Sequence, residues 1–113
     1  MFTPPPQKPG AKLVDSVHFD RRELAVILSL YGQMVAAGEW RDYGISALKD
    51  CAVFSVFRRT AEQPLYTIEK HPKLRAKQQM YAVVGMDRQI LKRGADLKTV
   101  LRVLERKLIR SVD

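Results

Sequence analysis

The alternation of apolar and polar positions divides this chain into stretches of different period. Leu24, Ile27, Leu28, Tyr31, Met34 and Val35 recur at helical spacing and share one face. Asp20 followed by Glu23 has the spacing of a capping box, in which each side chain satisfies an otherwise unpaired backbone donor. Gly38, after Ala36 and Ala37, is a natural stop. The rest of this helix, through Ala25, Val26, Ser29, Leu30, Gly32 and Ala36, is also apolar or small. A helix apolar nearly all round is usually buried on more than one side. The pattern therefore predicts a central core helix, or one covered by a second copy of the chain.

From Trp40 to Gly94 the period falls to two, predicting strands near 43–48, 52–59, 65–70, 80–85 and 90–93. Both alternating faces of Val53-Phe54-Ser55-Val56-Phe57 are largely apolar, which suggests an interior strand. Tyr66 and Ile68 share one face while Thr67 and Glu69 share the other, the pattern of a half-exposed strand. Phe54, Phe57, Tyr66 and Tyr81 all fall on these strands and are expected in the core rather than stacked on bases. Short connections favour an antiparallel meander. Asp96 is the expected N-cap of a last helix reaching about residue 110, with Leu97, Val100, Leu101, Leu104 and Leu108 as its buried stripe. The fold class is thus α+β: an antiparallel sheet of four to five strands flanked by an N-terminal and a C-terminal helix. Residues 1–12 hold four of the six prolines and read as a disordered tail, leaving 13–113 as a single domain that opens on a strand or extended entry segment over 13–19.

Composition narrows the functional classes. The one cysteine, Cys51, rules out an intramolecular disulfide, and a reducing, cytoplasmic setting is the default expectation. The N-terminal residues lack the apolar run of a signal peptide. The longest uncharged stretch, 24–38, has 15 residues, whereas a bilayer span needs roughly 20. No membrane partner is expected. His18, Cys51 and His71 are far apart and in no metal-ligand spacing, so neither a metal nor a cofactor is expected. The scattered glycines build no phosphate loop. Cys51 would serve as a nucleophile only with a histidine beside it, and the start of a strand is an ordinary place for an inert thiol. The chain is therefore read as having no enzymatic activity.

Charge is the more informative quantity. Residues 1–50 carry six Lys/Arg against six Asp/Glu, whereas 51–113 carry fourteen against six, which accounts for the whole net charge of +8. Two basic groups stand out. Lys73, Arg75 and Lys77 lie in the connection after the third strand, where Pro72 argues for an exposed irregular loop. Lys98, Arg102 and Arg106 recur every four residues along the last helix. Cations near a helix C-terminus complement its dipole, which explains Arg106 but not Lys98 in the first turn. The Lys92-Arg93-Gly94 segment is a weaker anion candidate, because Asp96 would occupy the helix donors itself.

Several segments together resemble a family of short alphaproteobacterial proteins classed as a domain of unknown function. They are 19–24 (Phe-Asp-Arg-Arg-Glu-Leu), 34–43 (Met-Val-Ala-Ala-Gly-Glu-Trp-Arg-Asp-Tyr), 52–60 (Ala-Val-Phe-Ser-Val-Phe-Arg-Arg-Thr), 68–70, 72–76 and 90–94 (Ile-Leu-Lys-Arg-Gly). The likeness spans roughly 17–110 and implies a bacterial origin, but it supplies no activity, ligand or site residue. In layout alone the chain is also similar to double-stranded RNA-binding domains, which use three strands and a basic cluster opening their second helix.

The expectation from these readings is a non-enzymatic binding or regulatory module. Its basic C-terminal half contacts nucleic acid (DNA or RNA) or another polyanion through Lys73, Arg75, Lys77, Lys98, Arg102 and Arg106. The alternatives are a protein-interaction module or homodimer built on the first helix and, third, a small enzyme using Cys51.

Overall fold

The structure, a computed structural model, describes residues 16–59 and 63–112, the side chains of 108–112 excepted. The expected tail over 1–12, residues 13–15 and the Leu108 side chain lie outside the described residues. Helix α1 (Arg21–Ala36) leads into five strands, β1 (Asp42–Ala47), β2 (Ala52–Phe57), β3 (Tyr66–Lys70), β4 (Tyr81–Gly85) and β5 (Ile90–Gly94), and helix α2 (Leu97–Val112) closes the chain. The strands pair in sequence order as one antiparallel meander, the simplest arrangement short connections allow. The expected α+β class and both flanking helices are present, and 16–20 is an irregular entry rather than a strand.

Register fixes the ends of the sheet. Ala47, Ala52, Lys70, Tyr81 and Gly94 stand side by side across the five strands and mark its upper end. Asp42 and Phe57, with Tyr66 and Gly85, mark the lower end. Alternate residues from β2, β3 and β4 (among them Phe54, Val56, Ile68 and Val83) form one core cluster with Ile27, Leu30 and Met34 of α1 and Val100, Leu101 and Leu104 of α2. Both helices therefore pack on the same sheet face. Each runs from the upper end to the lower, so the two lie side by side in parallel. No described helix covers the other face.

Helix α1 begins as its sequence implies. Asp20 Oδ1 accepts the Glu23 amide and Glu23 Oε1 accepts the Asp20 amide, both at 2.8 Å. The helix ends at Ala36 because Gly38 turns the chain at φ +77°, a region glycine enters without the steric cost of a Cβ. Its orientation departs from the sequence reading. The inward face is Glu23, Ile27, Leu30 and Met34, whereas Leu28 and Val35, both expected inside, are 39 % and 41 % exposed. The cause is polar. Glu23 is 7 % exposed and its carboxylate takes the Lys70 ammonium at 2.8 Å and the Tyr81 hydroxyl. Lys70 and Tyr81 are neighbours across β3 and β4. Turning Glu23 to this pair rotates α1 and leaves one flank of the helix open, so it is not a central core helix.

Two further expectations are corrected. The connection expected as an irregular loop is a 3₁₀ helix over Pro72–Lys77. Pro72 opens it at a first-turn position, where a missing N–H costs nothing. Thr67 and Glu69, expected half-exposed, are 8 % and 5 % exposed. Thr67 donates to Glu69 Oε2 at 2.6 Å, His71 Nε2 lies 2.9 Å from Oε1, and the Arg88 guanidinium reaches Oε2 at 3.0 Å.

The Glu23 contacts carry a stability prediction. Glu23→Gln keeps the shape and removes the charge facing Lys70, and should cost about 3 kcal/mol in urea denaturation, the scale for breaking a buried ion pair. Arg22→Gln, at an exposed neighbour, should change stability by about 0.5 kcal/mol or less. Equal small effects would show that the carboxylate does not anchor the helix.

Candidate polyanion-binding end of the sheet

Four pieces of chain meet at the upper end of the sheet: the first turn of α1, the β1–β2 turn, the 3₁₀ helix and the first turn of α2. Contacts hold them together. Lys70 and Tyr81 seat α1 through Glu23. Asp50 in the β1–β2 turn binds Lys73 of the 3₁₀ helix at 2.8 Å. Tyr81, which opens β4 soon after the 3₁₀ helix, pairs with Gly94, three residues before α2. On this frame Arg21, Arg22, Lys49, Arg75, Lys77 and Lys98 are all exposed.

The described carboxylates at this end have partners. Asp20 caps α1, and Glu23 is enclosed by Lys70 and Tyr81. The hydrogen bond and charge of Lys73 hold the Asp50 carboxyl below its ordinary value. Asp96 accepts the Thr99 hydroxyl and amide at 2.8 and 2.9 Å, which lowers its own value and fills first-turn donors of α2. The Lys92-Arg93-Gly94 segment thus adjoins a helix start that Asp96 already serves. What faces solvent at the upper end is chiefly cationic.

The six residues singled out in the sequence are only partly gathered. Lys73, Arg75, Lys77 and Lys98 come to the upper end, with Lys73 paired to Asp50. Arg102 lies further along α2, where it lines with Lys98 and Glu105 a groove of about 470 Å³ between the helices. Arg106 is eight residues beyond Lys98, about 12 Å down the helix, and belongs to the lower half. Sequence reasoning missed Arg21, Arg22 and Lys49 because they sit in the charge-balanced half of the chain. Their signal was positional: Arg21 and Arg22 occupy a helix first turn, where positive charge opposes the dipole.

A second polar cluster lies around Glu69 on the sheet face opposite the two helices. Burial alone would push the Glu69 carboxyl up. The hydrogen bonds from Thr67, His71 and Arg88, with the Arg88 charge, outweigh it and hold the group below its ordinary value. Cys51 and His71 stand one residue outside the β2–β3 ladder, beyond the pair Ala52 and Lys70. Fold and register thus bring a histidine towards the cysteine. Burial, followed by the Glu69 and Asp50 charges, nevertheless pushes the Cys51 thiol up, which disfavours the nucleophilic thiolate. Among the described residues no group of three His, Cys, Asp or Glu side chains is arranged to hold a metal ion. No described helix is long and apolar enough to cross a membrane.

Residues 17–101 match the family described as a protein of unknown function, DUF2794. The chain belongs to this family. The matched span starts at Val17, whose amide donates to the Leu48 carbonyl at 2.7 Å, and runs through all five strands into α2. It contains Arg21, Arg22, Lys49, Lys73, Arg75, Lys77 and Lys98, while Arg102 and Arg106 lie outside it. No curated protein and no solved structure matches the chain.

Glu69 makes acid stability measurable. A carboxyl held low in the folded state contributes stability that is full above its unfolded value and disappears as pH falls through the folded value. At neutral pH, Glu69→Gln should cost about 1–3 kcal/mol by leaving its donors poorly matched. In urea denaturation that difference from the wild type should shrink as pH falls below 4.5, the ordinary value of a glutamate carboxyl. A difference independent of pH would mean that the charge of Glu69 contributes nothing.

Proposed function

We propose that this protein is a non-enzymatic binding module that holds a nucleic-acid backbone at the upper end of its sheet. One observation carries the reading: both helices start at this end, and each places cations in its first turn. Arg21 and Arg22 of α1 and Lys98 of α2 stand where the helix dipole makes positive charge mildly unfavourable. They share this end of the sheet with the exposed Arg75 and Lys77. Cations placed against the helix electrostatics, beside carboxylates already engaged, are suited to an external anion. The cations are spread over several elements, as contact with a string of phosphates requires. The role assigned to these cations is phosphate neutralisation, which carries no base reading. A cytoplasmic bacterial setting, where nucleic acid is abundant, accords with this role.

The second reading is a homodimer along α1, favoured by one apolar strip. Leu28 and Val35 are exposed on α1, and on the same side of the sheet as the helices Tyr43 and Ile45 of the edge strand β1 are 42 % and 49 % exposed. Tyr31 links the two rows, edge-on to Tyr43 with ring centroids 4.9 Å apart.

The readings separate in one set of samples. In fluorescence anisotropy, duplex DNA, single-stranded DNA and duplex RNA should bind with micromolar affinity that falls steeply with salt. The triple variant Arg75→Ala/Lys77→Ala/Lys98→Ala should lose most of it. Its plot of log K against log salt should flatten by about 0.9 for each phosphate that is no longer neutralised. Arg106→Ala should bind nearly as the wild type. Wild-type affinity in the triple variant, or no binding at physiological salt, refutes the backbone reading. Sedimentation of the free protein tests the strip: a dimer dissociated by Ile45→Lys supports the second reading, and a monomer throughout refutes it.

A further inference from the structure

At the lower end of the sheet, α1 ends at Gly38 and the chain turns through Glu39 and Trp40 into β1. Arg41 precedes β1, and Arg58 and Arg59 follow β2. Because Asp42 pairs with Phe57, the next step outward sets Arg41 across from Arg58. With Val35, Gly38, Trp40 and Arg59 they line a pocket of about 500 Å³, within the range of small-molecule sites.

Like charges at facing positions of two strands repel. Among the described residues, neither Arg41 nor Arg58 has a carboxylate at ion-pair distance. Asp42 accepts its neighbour's amide, that of Tyr43, at 2.8 Å, and Glu39, also on this turn, makes no ion pair with either arginine. Nor are the arginines needed to satisfy the end of α1. The Gln33, Met34 and Val35 carbonyls already accept the amides of Ala37, of Glu39 and Trp40, and of Gly38. Two guanidiniums on facing positions, with no counter-charge among the described residues, match the oxygens of one tetrahedral oxyanion, each binding it through paired, charge-assisted hydrogen bonds. The wall beside them is apolar, formed by Val35 and the 3 % exposed Trp40.

We infer that this pocket binds a phosphoryl group carried on a small organic molecule, with Arg41 and Arg58 on the phosphate and Val35 and Trp40 against the organic part. The site is separate from the polyanion end and does not depend on that reading.

Trp40 is the single tryptophan of the chain, so intrinsic fluorescence reports on the pocket directly. Phenyl phosphate added at constant ionic strength should change the emission saturably at millimolar concentration or below, and should bind more tightly than inorganic phosphate. Arg41→Ala and Arg58→Ala should each weaken binding about ten-fold or more, the scale of one charge-assisted pair. Arg58→Lys, which keeps the charge and loses the fork, should also weaken it. The triple variant Arg75→Ala/Lys77→Ala/Lys98→Ala should bind as the wild type. Absence of a saturable change up to tens of millimolar, or wild-type binding by the two alanine variants, overturns the assignment. A response to a short DNA duplex without one to phenyl phosphate also overturns it, and gives the pocket to the nucleic-acid backbone.

Discussion

The Glu23 carboxylate is where α1 is fastened to the sheet. One oxygen accepts the Asp20 amide and the Lys70 ammonium, both at 2.8 Å, and the other takes the Tyr81 hydroxyl. Lys70 also donates to the His18 carbonyl at 2.9 Å, which holds the segment entering α1. A buried carboxylate without partners would be strongly destabilising, and here its partners come from two adjacent strands. The bond to Glu23, after burial, is part of what pushes the Tyr81 hydroxyl up, so the proton stays on the tyrosine. This contact fixes which face of α1 turns inward, sets the start of that helix at the upper end of the sheet, and leaves Leu28 and Val35 outside.

Placement of the helix starts in turn organises the charge. In a five-strand meander that begins at the lower end, the last strand finishes at the upper end. Helix α2 must therefore start there as well, beside α1. Every connection at that end, the β1–β2 turn and the 3₁₀ helix included, joins the same surface. The net charge of +8 is thus not spread evenly, because the acidic side chains of the upper end are engaged by neighbours while most of its cations face solvent. The lower end has a different character, with two arginines facing each other over an apolar wall.

Local signals in the sequence were strong enough to mark the elements. The Asp20–Glu23 box, the Asp96 cap and the period of two in the middle of the chain each depend on residues a few positions apart. Pro72 misled because proline disfavours a helix interior but suits a first turn. The rotation of α1 was illegible for another reason. Hydrophobic periodicity favoured a face containing Leu28 and Val35, and the contact that overrides it joins Glu23 to residues 47 and 58 positions away. Burial of Glu69 likewise depends on Arg88, which lies across a hairpin 19 residues on. Half of the candidate site was visible as the basic run 73–77 with Lys98. Arg21, Arg22 and Lys49 joined it only once register had brought three distant turns to one end.

The most direct test of this account is an amide chemical-shift titration of the full chain with a short nucleic-acid duplex. Binding at the upper end predicts perturbations concentrated in 21–23, 49–50, 73–78 and 97–99, growing together with one affinity and reversed by salt. Perturbations centred on the outer flank of α1 and on β1, or on the last turns of α2, would contradict it and separate the basic end from any role in binding.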